Sequence, residues 1–163
     1  MSEYSAIVTW ARAAADAFVD NNYSRLHEWR FDGGTTVPAS ASPHIVPLPY
    51  SVESAVDPEE AFVAALSSCH MLFFLSIAAK KRFIVDQYVD NARGFLEQDA
   101  HGRGAMTRVM LRPEIVFSGD RRPSVADVER IHHRSHELCF IANSVRTTID
   151  IEIPSTTRSA LGR

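Results

Sequence analysis

The sequence predicts an α+β fold in which an antiparallel sheet packs against two helices. Three observations carry that expectation. Several short runs alternate apolar and polar residues, as half-buried strands do. Two other segments open with helix-capping residues and then switch to helical spacing. The order along the chain is strands, helix, strands, helix, strand, rather than the regular strand–helix alternation that builds a parallel sheet.

The elements follow in order. Ser5 to Arg12 (SAIVTWAR) alternates and reads as a strand. Asp20-Asn21-Asn22 reads as a turn, Arg25 to Phe31 (RLHEWRF) alternates again, and Asp32-Gly33-Gly34 closes it, so the two runs are expected to pair as a hairpin. Thr36 and Val37 open a third short strand. Residues 38 to 58 hold Pro38, Pro43, Pro47, Pro49 and Pro58, too many for a regular element, and a loop this long inside a compact domain is often functional. A helix then begins sharply. Asp57 suits the N-cap, Pro58 the first helical position, and Glu60 completes a capping box. The helix is expected to reach about Lys80, with Phe62, Ala65, Leu66, Cys69, Leu72, Phe73 and Ser76 on one stripe. Phe74, Leu75, Ile77 and Ala78 fall elsewhere on it, so it is apolar nearly all round, the pattern of a helix buried against more than one neighbour.

Phe83 to Asp99 alternates, His101-Gly102-Arg103-Gly104 is a turn, and Met106 to Ser118 reads as one long strand with Pro113 at an edge or bulge; the pair is expected to form a second hairpin. After the charged turn from Gly119 to Pro123, Ser124 caps a second helix with Asp127 as box partner. Arg146 to Ile153 reads as a last strand, and residues 154–163 as a disordered tail.

At 163 residues the chain is expected to be a single domain, residues 1–163, large enough to bury a core. Its net charge of −3 gives no electrostatic footprint for nucleic acid or an anionic membrane. No basic stretch followed by an apolar run opens the chain, and the longest apolar stretch, around Met71 to Ala79, is about half of what spans a bilayer. These features predict a cytoplasmic protein with neither membrane nor nucleic acid as partner.

The two cysteines, Cys69 and Cys139, are the residues best suited to chemistry. A structural disulfide is not expected in a reducing cytosol, and two cysteines in a chain of this length are most often buried, inert thiols. Cys69 lies about twelve residues into the first helix, beyond the reach of the N-terminal dipole, so a reactive thiolate there needs a cation from another segment. Arg25 and Arg30 are the candidates. Glu59 lies ten residues before Cys69, roughly 15 Å along a straight helix. The two meet only if a second subunit supplies one of them or an arginine bridges them, and the all-round apolar helix favours a dimer. Cys139 ends the second helix, 70 residues from Cys69. A sulfenic acid formed by peroxide condenses with a thiol brought beside it, and an external dithiol then restores the pair.

Other residues have plainer readings. Phe62, Phe73 and Phe74 read as core, Glu60 as a helix-start residue, His70 as a packed or surface histidine, and Trp10 and Trp29 as sheet packing. His132, His136 and Cys139 share a helix face at metal-ligand spacing, but solvated or capping histidines are the commoner outcome.

At this point the residues resemble a family. Asp57-Pro58-Glu59-Glu60-Ala61-Phe62, followed by Ala64-Ala65-Leu66-Ser67-Ser68-Cys69, is similar to the cysteine-bearing helix of the OsmC/Ohr peroxidases, the osmotically inducible protein C and organic hydroperoxide resistance proteins. His136-Glu137-Leu138-Cys139 resembles their second-cysteine segment, and the resemblance runs over about residues 5 to 153. It implies an OsmC-like fold, an antiparallel sheet wrapped around long central helices in an intertwined homodimer. It implies that Cys69 is peroxidatic, Cys139 resolving, and Glu59 the carboxylate that orients an active-site arginine, for which Arg25 is the choice over Arg30. It implies organic hydroperoxides as substrates, with hydrogen peroxide for some members, a lipoyl-type or other external dithiol as reductant, and no metal, flavin or haem. Phe140 stands where the family often has proline, and Asn21-Asn22-Tyr23-Ser24 replaces a glycine-rich turn, so the OsmC-like branch fits better than Ohr. The alternatives are a non-catalytic protein holding a small apolar ligand on the same fold, and a metal site on His132, His136 and Cys139.

Overall fold

The computed structural model describes residues 1–154, and the expected C-terminal tail lies outside them apart from Pro154. The chain divides into two compact units, residues 1–61 and residues 62 onward, with one helix running across the division.

In the first unit, β1 (Ala6–Thr9), β2 (His27–Phe31) and β3 (Thr36–Ala39) form an antiparallel three-stranded sheet in the order β1-β2-β3. β1 and β2 pair with Ala6 opposite Phe31 and Thr9 opposite Glu28. The Asp20–Asn22 turn forms as expected: the Asp20 carboxylate accepts the Asn22 backbone N–H, and Asn21 takes the left-handed conformation at φ 67°. Residues 40–57 have no strand or helix of their own apart from a bridge between Ala39 and Val56. Their tie points are buried hydroxyls and backbone: the Ser40 hydroxyl accepts the Val52 N–H at 3.0 Å, and the Ser40 N–H donates to the Val56 carbonyl.

α1 (Pro58–Lys80) starts where the cap predicts. Asp57 Oδ1 accepts the Glu60 N–H at 2.7 Å, and Glu60 Oε2 accepts the Asp57 N–H at 3.3 Å, a closed capping box. In the second unit the helix buries a single row, Leu66, His70, Phe74 and Ala78, rather than the expected stripe through Cys69 and Phe73. The i, i+4 spacing of that row is one face of a helix, and it leaves Leu72 63% exposed. By length and composition α1 also meets the requirement for crossing a bilayer, with 22% of the qualifying window buried within the chain. The apolar stretch Met71–Ala79 understated this, because the helix is apolar on average well beyond it.

The remaining strands are β4 (Ile84–Asp90), β5 (Arg93–Gln98), β6 (Gly104–Leu111), β7 (Pro113–Ser118) and β8 (Thr148–Ile151), with α2 (Val125–Leu138) between β7 and β8. The expected long hairpin is two nested pairings. β5 and β6 join through the Asp99–Arg103 turn, and β4 pairs with β7 in a separate antiparallel sheet. The break has a physical cause. Pro113 has no N–H for a continuous ladder, and the preceding Arg112 N–H donates to Asp90 Oδ1 at 2.6 Å instead. β8 adds to β6 in parallel, Val109 opposite Ile149, the one departure from antiparallel pairing among the described strands.

Two apolar clusters hold this unit. Phe74, Ala78, Phe83, Ile115, Phe117, Val128 and Ile131 join α1, α2 and the β4–β7 sheet. Leu66, Val109 and Leu111 pack the earlier part of α1 on the β5-β6-β8 sheet. Gly94 on β5 permits the close approach there: a Cβ would lie 2.5 Å from Val63 Cγ2 and 2.4 Å from Met106 Cε.

Candidate active site

α2 is fixed by its own capping box: the Ser124 hydroxyl accepts the Asp127 N–H at 3.1 Å and the Asp127 carboxylate accepts the Ser124 N–H at 3.0 Å. The Ser124 hydroxyl, donating to Asp127 Oδ2 at 2.7 Å, and the Ser124 N–H hold the Asp127 carboxyl down at about 2, with Arg130 adding to the effect. The helix ends at Cys139, whose extended backbone turns the chain out of it, and the short 3-10 turn η1 (Ala142–Ser144) follows.

That ending carries Cys139 to Cys69. The two thiols lie close enough for Cys69 to act directly on Cys139, although 70 residues separate them in the chain. Both cysteines are free. Cys139 is 1% exposed, whereas Cys69 is half-buried. Burial pushes the Cys139 thiol up to about 11, and Cys69 adds to the rise; the Ala142 N–H, 3.4 Å from Cys139 Sγ, opposes it. Cys139 therefore rests as a protonated thiol beside a more accessible sulfur. Next to the pair, Phe73 and Phe140 meet edge-to-face with centroids 5.2 Å apart, and Phe140 is 71% exposed.

Arg25 and Glu59 belong to the first unit. The Arg25 guanidinium donates to the Asn21 carbonyl at 2.9 Å, to Asn21 Oδ1 at 2.7 Å and to the Tyr23 carbonyl, and it lies 3.7 Å over the Tyr23 ring. Trp10, Phe18 and Tyr23 form a mutual aromatic cluster around the same turn. Glu59 is half-buried in the first turn of α1, and no ion pair joins it to Arg25 among the described residues. Arg30 is on β2, opposite Ile7 and Thr36.

Sequence reasoning missed how the buried polar groups of α1 and α2 pair. His70 is not a surface residue: its Nε2 and His132 Nδ1 share a hydrogen at 2.9 Å, and the rings stack at 5.2 Å. Both are almost fully buried, and His132 also packs on Phe74. Burial, with His136 nearby, lowers His70 to about 4; burial, with His70 nearby, lowers His132 to about 3, so both are neutral at ordinary pH. The signal available beforehand was that His70 continues the Leu66–Phe74 row at i, i+4. Ser67 Oγ donates to Asp90 Oδ2 at 2.5 Å, tying the turn before Cys69 to the end of β4. Among the described residues, no group of three or more His, Cys, Asp or Glu side chains is arranged to hold a metal ion.

The comparisons with known proteins agree with this architecture. The chain is 60% identical to an OsmC-like protein of unknown function from Vibrio cholerae, with a TM-score of 0.93, over 94% of this chain and 100% of that one. It shares its fold with an organic hydroperoxide resistance protein from Elizabethkingia anophelis at 15% identity and a TM-score of 0.67, covering 94% of each chain. An OsmC organic hydroperoxide resistance protein from Legionella pneumophila matches at 16% identity and a TM-score of 0.62, over 94% of this chain and 97% of that one. No curated protein matches it. The OsmC-like protein family model matches residues 51–154, the span that holds both cysteines, and the chain belongs to that family.

Proposed function

We propose that the protein is a thiol-dependent peroxidase that reduces organic hydroperoxides. The observation that carries this reading is the neighbouring pair of free thiols, one buried and one more accessible, assembled from two helices. The Cys69 thiolate attacks the distal oxygen of ROOH. An S–O bond forms, the O–O bond breaks, and the alkoxide takes a proton to leave as ROH. Cys139 then attacks the sulfenic sulfur, the disulfide forms and water departs. An external dithiol, of lipoyl or another type, takes the oxidising equivalents by thiol–disulfide exchange. In this reading Arg25, oriented by Glu59, supplies the positive charge that favours the thiolate; to do so it exchanges its contacts with Asn21 and Tyr23 for the carboxylate. The working form is a cytoplasmic homodimer, in which a second copy covers the exposed side of α1.

Thiol titration after one equivalent of cumene hydroperoxide tests the reading. The wild type loses two thiols rapidly. Cys69→Ser consumes no peroxide. Cys139→Ser consumes one equivalent and then stalls or proceeds to sulfinic acid. Unchanged thiols in the wild type would instead favour the non-catalytic ligand-binding alternative.

A further inference from the structure

Cys139 has to lose a proton before it attacks, and no group named in that reaction receives it. Burial holds its thiol protonated, and a thiol is a poor nucleophile next to its thiolate. At 1% exposure it also has little access to bulk water as a base. Closing the disulfide therefore calls for a protein group beside Cys139 Sγ that can take a proton.

The end of α2 supplies one. The Cys139 N–H donates to the His136 carbonyl at 3.3 Å, a closure of the 3-10 type. In such a turn side chains three apart eclipse, and their Cβ atoms lie about 5–6 Å apart. Cys139 keeps a helical φ of −65°, which sets the direction of its Cβ; its ψ of 112° leaves the helix and turns only the chain beyond it. The half-buried His136 thus stands one turn before the thiol on the same face of α2. That face looks toward α1, since His136 bears on the charge of His70. His136 Nδ1 is buried and has no hydrogen-bond partner among the described residues. A histidine in the last turn of a helix complements the dipole, but that role needs no buried, unpartnered nitrogen.

The other titratable groups nearby are committed. His70 Nε2 and His132 Nδ1 share a hydrogen with each other, and burial depresses both. Glu137 pairs with Arg134 and His133 on the exposed side of α2. On β4, Asp90 accepts from the Ser67 hydroxyl and the Arg112 N–H, and burial pushes the Tyr88 hydroxyl well up, so that it stays protonated. η1 offers the Ala142 N–H, which is a donor. We infer that His136 is the general base of the resolving step, a catalytic residue additional to the two cysteines. As Cys139 Sγ attacks the Cys69 sulfur, its S–H bond breaks and the proton passes to His136 Nδ1. The S–S bond forms, the S–O bond of the sulfenic acid breaks, and the leaving hydroxide takes that proton and departs as water. The imidazole ends as it began. The sulfenic acid rests on the peroxidase reading, whereas the proton transfer is needed for any leaving group on Cys69.

That difference gives the test. One equivalent of dithiobis(nitrobenzoate) charges Cys69 of the full-length protein as a mixed disulfide and releases one thionitrobenzoate. Attack by Cys139 releases a second, and stopped-flow absorbance separates the two phases. His136→Asn keeps a polar group at the Nδ1 position but takes no proton. It should leave the first phase unchanged and slow the second about a hundredfold, the low end for a positioned general base. His136→Ala should be equally slow, and added imidazole should restore its second phase without altering the first. His133→Ala, on the exposed side of α2, should match the wild type. The inference is overturned if either His136 variant closes at the wild-type rate, if both phases slow together, if imidazole fails to speed His136→Ala, or if the wild type never releases the second equivalent. Cumene hydroperoxide run in parallel separates the two readings: a protein that shows the His136 effect yet consumes no peroxide loses the peroxidase reading and keeps its base.

Discussion

The buried imidazole pair sets the acid limit of the molecule. His70 and His132 can share one hydrogen only while at most one of them is charged, and desolvation keeps both neutral down to about pH 4 and about pH 3. In the unfolded chain a histidine titrates near 6.5. Because the folded values are depressed, the unfolded state binds more protons as pH falls. Stability is therefore full above about pH 6.5 and is lost progressively as pH drops from there toward the folded values. Each histidine removes about 1.4 kcal/mol per pH unit inside that window, or about 2 kcal/mol by pH 5. Urea unfolding at pH 7.5 and pH 5.0 measures it: the midpoint should fall at pH 5.0, and the double variant His70→Leu/His132→Leu should flatten the dependence. An unchanged midpoint in the wild type would show that the pair is not buried in solution. None of this was legible in the sequence, because the partner of His70 lies 62 residues away and an isolated histidine carries no sign of it. Cys69 and Cys139 were legible as candidates through their neighbouring residues. Their proximity was not, since it depends on how α1 and α2 pack.

Local signals and long-range pairing separate clearly among the elements. The two capping boxes are written within four consecutive residues each, Asp57–Glu60 and Ser124–Asp127, and both form as the sequence predicts. The pairing of β4 with β7, and of β8 with β6, was not readable, because period-two alternation identifies a strand and says nothing of its neighbour. The split of residues 106–118 into two strands was signalled by Pro113, although its consequence, two sheets rather than one bend, depends on Asp90 capturing the Arg112 N–H. Gly94 gives a sharper test of how α1 seats on the second of these sheets. Adding a methyl there places it under 3.0 Å from side-chain carbons of Val63 and Met106. Met106 can swing aside, but the Val63 methyl is short and anchored to the helix. Gly94→Val should therefore cost about 1–3 kcal/mol through overpacking, and Gly94→Ala less. Thermal unfolding of the three proteins measures the order; equal melting temperatures would mean that α1 does not press on β5.

At the scale of the molecule, α1 poses the question that a single chain leaves open. Its buried row uses one face, while Leu72 at 63% exposed, half-buried Phe73 and the neighbouring Phe140 at 71% form an apolar surface beside the thiols. Surfaces of this kind mark contact with another macromolecule or with lipid, since isolated monomers rarely leave a contiguous apolar patch uncovered. The sequence took the all-round apolar pattern of α1 as favouring a dimer and expected no membrane partner, but that pattern alone cannot distinguish a helical partner from a bilayer. Charge can. A lysine at position 72 adds one cation to the surface, which a helix-to-helix contact tolerates poorly because the charge loses its water without gaining a partner. If a second copy covers α1, Leu72→Lys should shift sedimentation from dimer toward monomer, with secondary structure unchanged by circular dichroism. It should also lower peroxidase turnover, if the dimer completes the site. If lipid covers it, the wild type should instead sediment as a monomer and float with neutral phosphatidylcholine vesicles, and Leu72→Lys should release it from them. A wild type that is monomeric and does not float would exclude both coverings and leave the exposed face of α1 to a different protein.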